Sequence, residues 1–441
     1  MSKDQNVDGV GVIHRTEAAA LTNARALLQL AASGVLRCST TTRRPTAATV
    51  RTVGEHLVDG DWYDDEDIAA YAWPLLLQAG GLAKLNGTRL ELTARGRRAT
   101  TLPAHEVIAG LWTRWISHGL IDELSRVENI KGQRSTRTLT AVSARRSSAA
   151  GVLDLLPLGD WRDIDEVLTA ARRSPRTTFE VAQNGRALWK LYLGPSAEWG
   201  SFGYGGFYHW NLIEGRYVMA LLLEYAATLG LIDVELDHPR GAREDFGVNE
   251  GSEGLEYLSR YDGLRAVRLT PLGAYATGQA ATYTPAVVDE AALTVGADLV
   301  VAAATAPSIA DRMVLTAFAE DLGGLRWQIS RPILLDALDT GHSLDELTTL
   351  LTSRGASIPD TLDNLLADVR RASGALTDLG VTRLIACADE HVAADLSRDT
   401  RLGRWCRRIG THHLAVEVDK IPQFRKRLKE LGHVLDTGTH H

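Results

Sequence analysis

The chain is poor in the residues that mark most specialised chemistry. Its 441 residues include only three cysteines, Cys38, Cys387 and Cys406. Their odd number and wide spacing exclude a disulfide framework, and no CxxC pair is present to hold zinc. Buried or idle thiols in a reducing cytosol are the expectation. No apolar run approaches the ~20 residues that a bilayer-spanning helix needs. The stretch from Met1 to Val12 is polar and lacks the apolar centre of a signal peptide. The expectation is a cytoplasmic protein with no membrane partner.

Catalytic signatures are missing as well. No Gly-x-x-x-x-Gly-Lys-Ser/Thr loop occurs to cradle a triphosphate, and there is no Walker-type acidic partner. No HExxH helix and no Gly-x-Ser-x-Gly elbow is found. His412 and His413 are adjacent, so on a strand they point to opposite sides. Asp122-Glu123 and Asp389-Glu390 read as caps or solvated faces rather than acid/base pairs. The run around Gly203, Gly205 and Gly206 lacks the strand-to-helix crossover of a dinucleotide fingerprint. With Phe202, Tyr204, Phe207 and Trp210 it reads as a flexible loop pinned by aromatic rings, with peptide or base stacking as the alternative. The expectation is a non-enzyme, with no ATPase activity, cofactor or metal.

An excess of positive charge is also lacking. The net charge is −7, from 48 basic and 55 acidic residues, so any DNA contact must use a local patch. Alanine, arginine and glycine are heavily used and lysine is rare, which suits a GC-rich genome and says nothing of function.

What is present is an ordinary globular composition, 45% hydrophobic and 23% charged, long enough for about two to four domains. Residues 1–15 read as a disordered leader. Residues 16–103 follow the order of a winged helix. A helix over 16–32 leads to a short strand over 35–38, then a helix from Thr46 to about Leu57. A helix from Asp64 or Asp65 to Gln78 precedes a hairpin around Asn86-Gly87. The tail of this module recurs. An apolar helix, Gly81-Leu82, a hairpin and Leu92-Thr93-Ala94-Arg95-Gly96 match Gly230-Leu231, a hairpin and Leu269-Thr270-Pro271-Leu272-Gly273. Residues 201–278 are therefore a second winged-helix-like module, with a long acidic hairpin connection over 237–262 expected to be mobile. Residues 104–200 form a helical middle region, and residues 279–292 a Gly/Thr/Pro-rich linker.

A winged helix reads the major groove with its third helix. Here the first copy's third helix begins with Asp64-Asp65-Glu66-Asp67 and the second copy's is nearly uncharged. Both read as packing helices. Phosphate contact falls instead to two basic stretches. One carries Lys131, Arg134, Arg137, Arg145 and Arg146 with no acid between. The other carries Arg398, Arg401, Arg404, Arg407 and Arg408 around Trp405, with Arg404, Arg407 and Arg408 spaced to share one face of a helix.

The remainder, 293–436, reads as mixed α/β. Strands are expected near 298–303, 325–329, 375–379 and 381–387, with helices from Ser308, Pro332, Ser343, Pro359 and Ile421. Its phrases are Ala297-Asp298-Leu299-Val300-Val301, Ile329-Ser330-Arg331, Gly341-His342-Ser343-Leu344-Asp345-Glu346-Leu347 and Ile358-Pro359-Asp360-Thr361-Leu362. In this order they resemble the helicase-associated domain found N-terminal to the motor of XPB-type helicases, over about a third of the chain. The resemblance implies engagement of DNA near a fork or docking on partner proteins, but no motor accompanies it here.

The fold expectation is thus helix-rich α+β: tandem winged-helix-like modules followed by a mixed α/β helicase-associated domain. The functional expectation is a non-catalytic scaffold in a DNA transaction such as genome maintenance or phage defence. It binds DNA without sequence preference, docks on a separately encoded helicase or nuclease, or does both. The alternative is a winged-helix transcriptional regulator that reads sequence.

Overall fold

The computed structural model describes residues 11–133, 138–204, 210–285, 291–373 and 381–436. The chain is mixed α+β with several small sheets. It divides into two compact units, Met1–Val369 and Arg370–His441. The division falls inside the stretch 293–436 that reads in sequence as one domain, and not at 279–292.

The first unit opens with β1 (Val12–His14), α1 (Glu17–Ala32), α2 (Ala47–Gly54) and α3 (Ala69–Ala79). The hairpin β2 (Ala83–Asn86) and β3 (Arg89–Leu92) turns at Gly87, whose φ of 57° suits glycine, and α4 (Ala94–Ala99) follows. Residues 36–38 run beside the hairpin, with the Leu90 amide donating to the Leu36 carbonyl at 3.0 Å. Two expectations are corrected here. Residues 12–14 of the expected leader form a strand, because β1 pairs with a segment over 200 residues away, His14 lying opposite Val234, and residues 1–10 lie outside the described residues. The helix expected from Asp64 or Asp65 starts at Ala69. The Asp61 carboxylate accepts from the amides of Trp62, Ile68, Ala69 and Ala70, so one side chain satisfies donors that a first helical turn leaves free. From Ala69 to Ala79 only Tyr71 is not buried.

The middle region supplies α5 (Ala104–Ser117), α6 (Val142–Ala150), β4 (Trp161–Asp163), α7 (Ile164–Arg173) and the single turns α8 (Gly185–Leu188) and α9 (Ala197–Gly200). A helical run follows in three pieces: Asn211–Gly215, α10 (Arg216–Ala220) and Leu221–Ala227, the outer two π-type. It leads into β5 (Ile232–Leu236), β6 (Leu264–Leu269) and α11 (Pro271–Ala276), and the sheet order is β1-β5-β6-β4. The repeated tails are built alike. Thr93 accepts from the Gly96 amide and donates its hydroxyl to the Gly81 carbonyl at 2.8 Å. Thr270 accepts from the Gly273 amide and donates to the Gly230 carbonyl at 2.7 Å. Both tails and the middle region share one hydrophobic core, centred on residues such as Leu27, Trp73, Trp115, Tyr217 and Leu269.

The acidic insert is not the free loop expected from its composition. Phe246, Leu258, Tyr261 and Asp262 are buried. Arg216, itself buried, forks between Asp262 at 3.0 Å and Asp245 at 2.5 Å. Arg126 pairs with buried Glu224 at 2.8 Å, and Glu224 also accepts from the Tyr261 hydroxyl.

The rest of this unit is β7 (Leu293–Val295), β8 (Val300–Ala303), α12 (Ile309–Phe318), β9 (Ala319–Gly323), β10 (Arg326–Ile329), α13 (Arg331–Asp339), α14 (Leu344–Ser353) and α15 (Asp360–Ser373) up to Val369, the last four residues of α15 belonging to the second unit. The sheet runs β7-β8-β10-β9 and packs a second core of Phe318, Trp327, Leu347, Leu351 and Leu366. Ser343 and Glu346 close the capping box expected from sequence. Gln29 of α1 donates to Glu346 at 2.9 Å, joining the two cores.

The second unit is β11 (Thr382–Ala386), α16 (Glu390–Arg398), β12 (Cys406–Ile409), β13 (His413–Glu417) and α17 (Ile421–Glu430), with strand order β11-β13-β12. Placing β13 between β11 and β12 makes a split β-α-β arrangement. Its core is Leu396, Leu402, Leu414, Val416, Phe424 and Leu428. The strand expected over 375–379 lies outside the described residues.

Candidate nucleic-acid interface

Of the first basic stretch, Lys131 is exposed and Arg134 and Arg137 lie outside the described residues. Arg145 and Arg146 correct the expectation. They sit on α6 with 1% and 0% exposure, turned into the core and away from any phosphate. Arg146 donates to the carbonyls of Trp115 at 2.7 Å and Ile121 at 2.9 Å, pairs with the Glu123 carboxylate and stacks on the Trp115 ring. Glu123 also accepts from the Tyr217 hydroxyl at 2.7 Å. Arg145 pairs with Asp122 at 2.7 Å. The adjacent acids Asp122 and Glu123 are thus the counter-ions of two buried arginines, and they pin residues 118–126 to the core.

Lys131 belongs to a different surface. Its amide donates to the Tyr192 carbonyl at 2.8 Å, and the Leu193 amide donates in turn to the Gly200 carbonyl at 2.9 Å. Three extended segments therefore lie side by side. Gly132 permits this, because a Cβ there would sit 1.7 Å from the Lys190 carbonyl oxygen. Leu191 and Leu193 are buried, while Lys190, in the turn that ends α8, is exposed.

In the glycine-aromatic loop Phe202 and Trp210 are buried and Gly205, Gly206 and Phe207 lie outside the described residues, while Tyr204 is exposed, as are Trp189 and Trp199 before the loop. Trp189 is 47% exposed, Tyr204 56% and Trp199 65%. The Trp189 indole is backed by Gly203, where a Cβ would lie 2.3 Å from the ring, and its edge meets Tyr204 with centroids 4.7 Å apart. The Ser201 hydroxyl donates to the Trp189 carbonyl at 2.9 Å and accepts from the Gly203 amide at 3.0 Å. Beside this ring opens a cleft of about 740 Å³ lined by Asn184, Gly185, Arg186, Leu188, Trp189 and Gly203. Arg186, which lines it, and Lys190, the residue after Trp189, are exposed, as is Lys131, whose ammonium donates to the Glu128 carbonyl at 2.8 Å; Glu198 and Glu250, both near Gly200, are exposed acids. Sequence reading found the loop and the basic stretch separately. Their meeting depends on the pairing of residue 131 with residue 192, which no local pattern announces.

In the second unit Arg404, Arg407 and Arg408 are exposed, but not on one helix face as expected. Arg404 ends a single turn, Leu402–Arg404, while Arg407 and Arg408 are neighbours on β12 and so face opposite sides. Arg408 pairs with Glu390 at 2.7 Å, and Arg401 approaches Glu430 at 3.8 Å. Among the described residues Arg404 and Arg407 make no ion pair. In register Arg407 stands opposite Ala415, which stands opposite Leu384, and Ile409 stands opposite His413. Leu384, Arg407, Ile409 and His413 are all exposed on the face away from the core. Residues 370–441 hold 13 basic and 9 acidic side chains, a net +4, which leaves −11 of the total −7 on the rest of the chain.

Two of the thiols are buried, and burial pushes those of Cys38 and Cys406 up to about 11, away from nucleophilic use. Among the described residues no three His, Cys, Asp or Glu side chains converge to hold a metal, and no helix is long and apolar enough to cross a membrane. No protein-family model matches the chain, and no curated protein is similar to it.

Proposed function

We propose that this protein is a non-catalytic nucleic-acid-binding scaffold that holds the phosphate backbone without reading sequence and serves a separately encoded helicase or nuclease. The observation that carries this reading is the charge of the second unit: +4 in a chain of −7, with Arg404 and Arg407 exposed and, among the described residues, free of carboxylate partners. Cations left unpaired in this way suit phosphate. The succession of α1, α2, α3 and the β2–β3 hairpin fits the winged-helix reading of residues 16–103 and supports it, and the resemblance of residues 293–435 to a helicase-associated domain supplies the motor as the natural partner. A sequence-reading regulator is less well supported, because α3 and the run Asn211–Gly215 through Leu221–Ala227 are buried and offer no free face to a groove.

The test is titration of the full chain onto unrelated duplexes of equal length across a salt series. Equal affinities that fall steeply with salt support the reading. Strong preference for one sequence supports the regulator, and no binding to any duplex at low salt removes the proposal.

A further inference from the structure

We infer that the cleft beside Trp189 is a single-strand nucleic-acid site in which an unstacked base lies on the indole and its flanking phosphates meet Lys131, Arg186 and Lys190. This rests on the nucleic-acid reading above but uses a different surface. A large aromatic ring that is not binding anything is usually packed away, whereas Trp189 keeps 47% of its surface open. It is nevertheless held in place. Gly203 backs the ring, Tyr204 meets its edge, and the Ser201 hydroxyl bridges the Trp189 carbonyl and the Gly203 amide. A ring held on one side and open on the other gives a stacking platform with little left to order on binding.

The charges select the occupant. Lys131 and Lys190 are brought to one place by the close approach at Gly132, and Arg186 lines the cleft itself. Three exposed cations, Lys131, Arg186 and Lys190, outnumber the exposed acids near Gly200, Glu198 and Glu250, and favour a polyanion with flat faces over a neutral peptide. Duplex DNA hides its base faces in the stack, so only a single strand can use the ring. Trp199, 65% exposed, is a second open indole in this part of the chain.

The experiment uses the full chain and a fluorescein-labelled oligo-dT of about 20 nucleotides, with a duplex of equal length and a proline-rich peptide as separate probes. Trp189→Ala should weaken oligo-dT binding by about tenfold or more while leaving duplex affinity unchanged. Trp189→Phe should keep most of the affinity, because a ring remains. Gly203→Ala, which displaces the indole without removing it, should behave like Trp189→Ala, and thermal melting of each variant shows that it is folded. Parent-like oligo-dT binding by folded Trp189→Ala overturns the inference. Duplex binding with no binding of oligo-dT overturns it too and leaves the scaffold reading standing. Binding of the peptide alone, lost in Trp189→Ala, overturns both, as does failure to bind any probe.

Discussion

A Cβ on Gly273 would lie 2.0 Å from the carbonyl oxygen of Leu231, and Gly96 stands in the same relation to Leu82, also at 2.0 Å. In each tail the short helix after the hairpin presses its backbone on the residue just before the first strand, and only a hydrogen fits between. Gly273→Ala and Gly96→Ala should each destabilise the protein by about 1–3 kcal/mol, the usual result of forcing a methyl into a packed site. Urea denaturation of each variant gives the value, and parent-like midpoints would show that the backbone yields without cost.

Arg146→Met tests the reassignment of the first basic stretch. Removing one partner of a buried pair leaves Glu123 uncompensated, at a cost of about 3–5 kcal/mol. DNA affinity of the folded protein should not change. A stable Arg146→Met variant that has lost DNA binding would return this residue to the interface.

Stability in acid should depend on Glu346. Burial lifts its carboxyl, but hydrogen bonds from His342, Gln29 and the Ser343 amide outweigh burial and hold it below the ordinary 4.5. Between the lowered folded value and 4.5 the unfolded chain binds more protons. The stabilisation is therefore complete above 4.5 and is lost as pH falls through the folded value. Glu346→Gln should flatten the slope of stability against pH just below 4.5. An unchanged slope would assign it to other carboxylates.

The acidic insert should resist protease in the parent and become the first site cut in Arg216→Met. That substitution leaves Asp245 and buried Asp262 facing each other without their shared cation. Limited proteolysis with mass mapping checks the order of cleavage. Early cleavage of the parent within 237–262 would contradict it.

Duplex binding should rest on the second unit. Arg404→Ala with Arg407→Ala should weaken binding to any duplex and lower the slope of log affinity against log salt by up to about 2, roughly one per lost phosphate contact. An unchanged slope would leave these arginines as a solvated or partner-facing surface.

Sequence by itself determined the elements whose causes are local. The Asn86-Gly87 hairpin, the Ser343 capping box and the Leu-Thr-x-x-Gly tails each depend on residues within a few positions of one another, so their spacing is their explanation. Tertiary structure decided the rest. Whether an arginine meets solvent or a carboxylate depends on what folds against it, and Arg146 meets Glu123 because α6 closes on residues 118–126. β1 was invisible because its partner β5 lies over 200 residues away. β12 and β13 pair with each other only within a sheet that Leu402, Phe424 and Leu428 help to bury. The approach of residues 131–132 to residues 190–192 has the same origin. It follows from a backbone approach at Gly132 that a Cβ would block, and this constraint acts between segments distant in the chain.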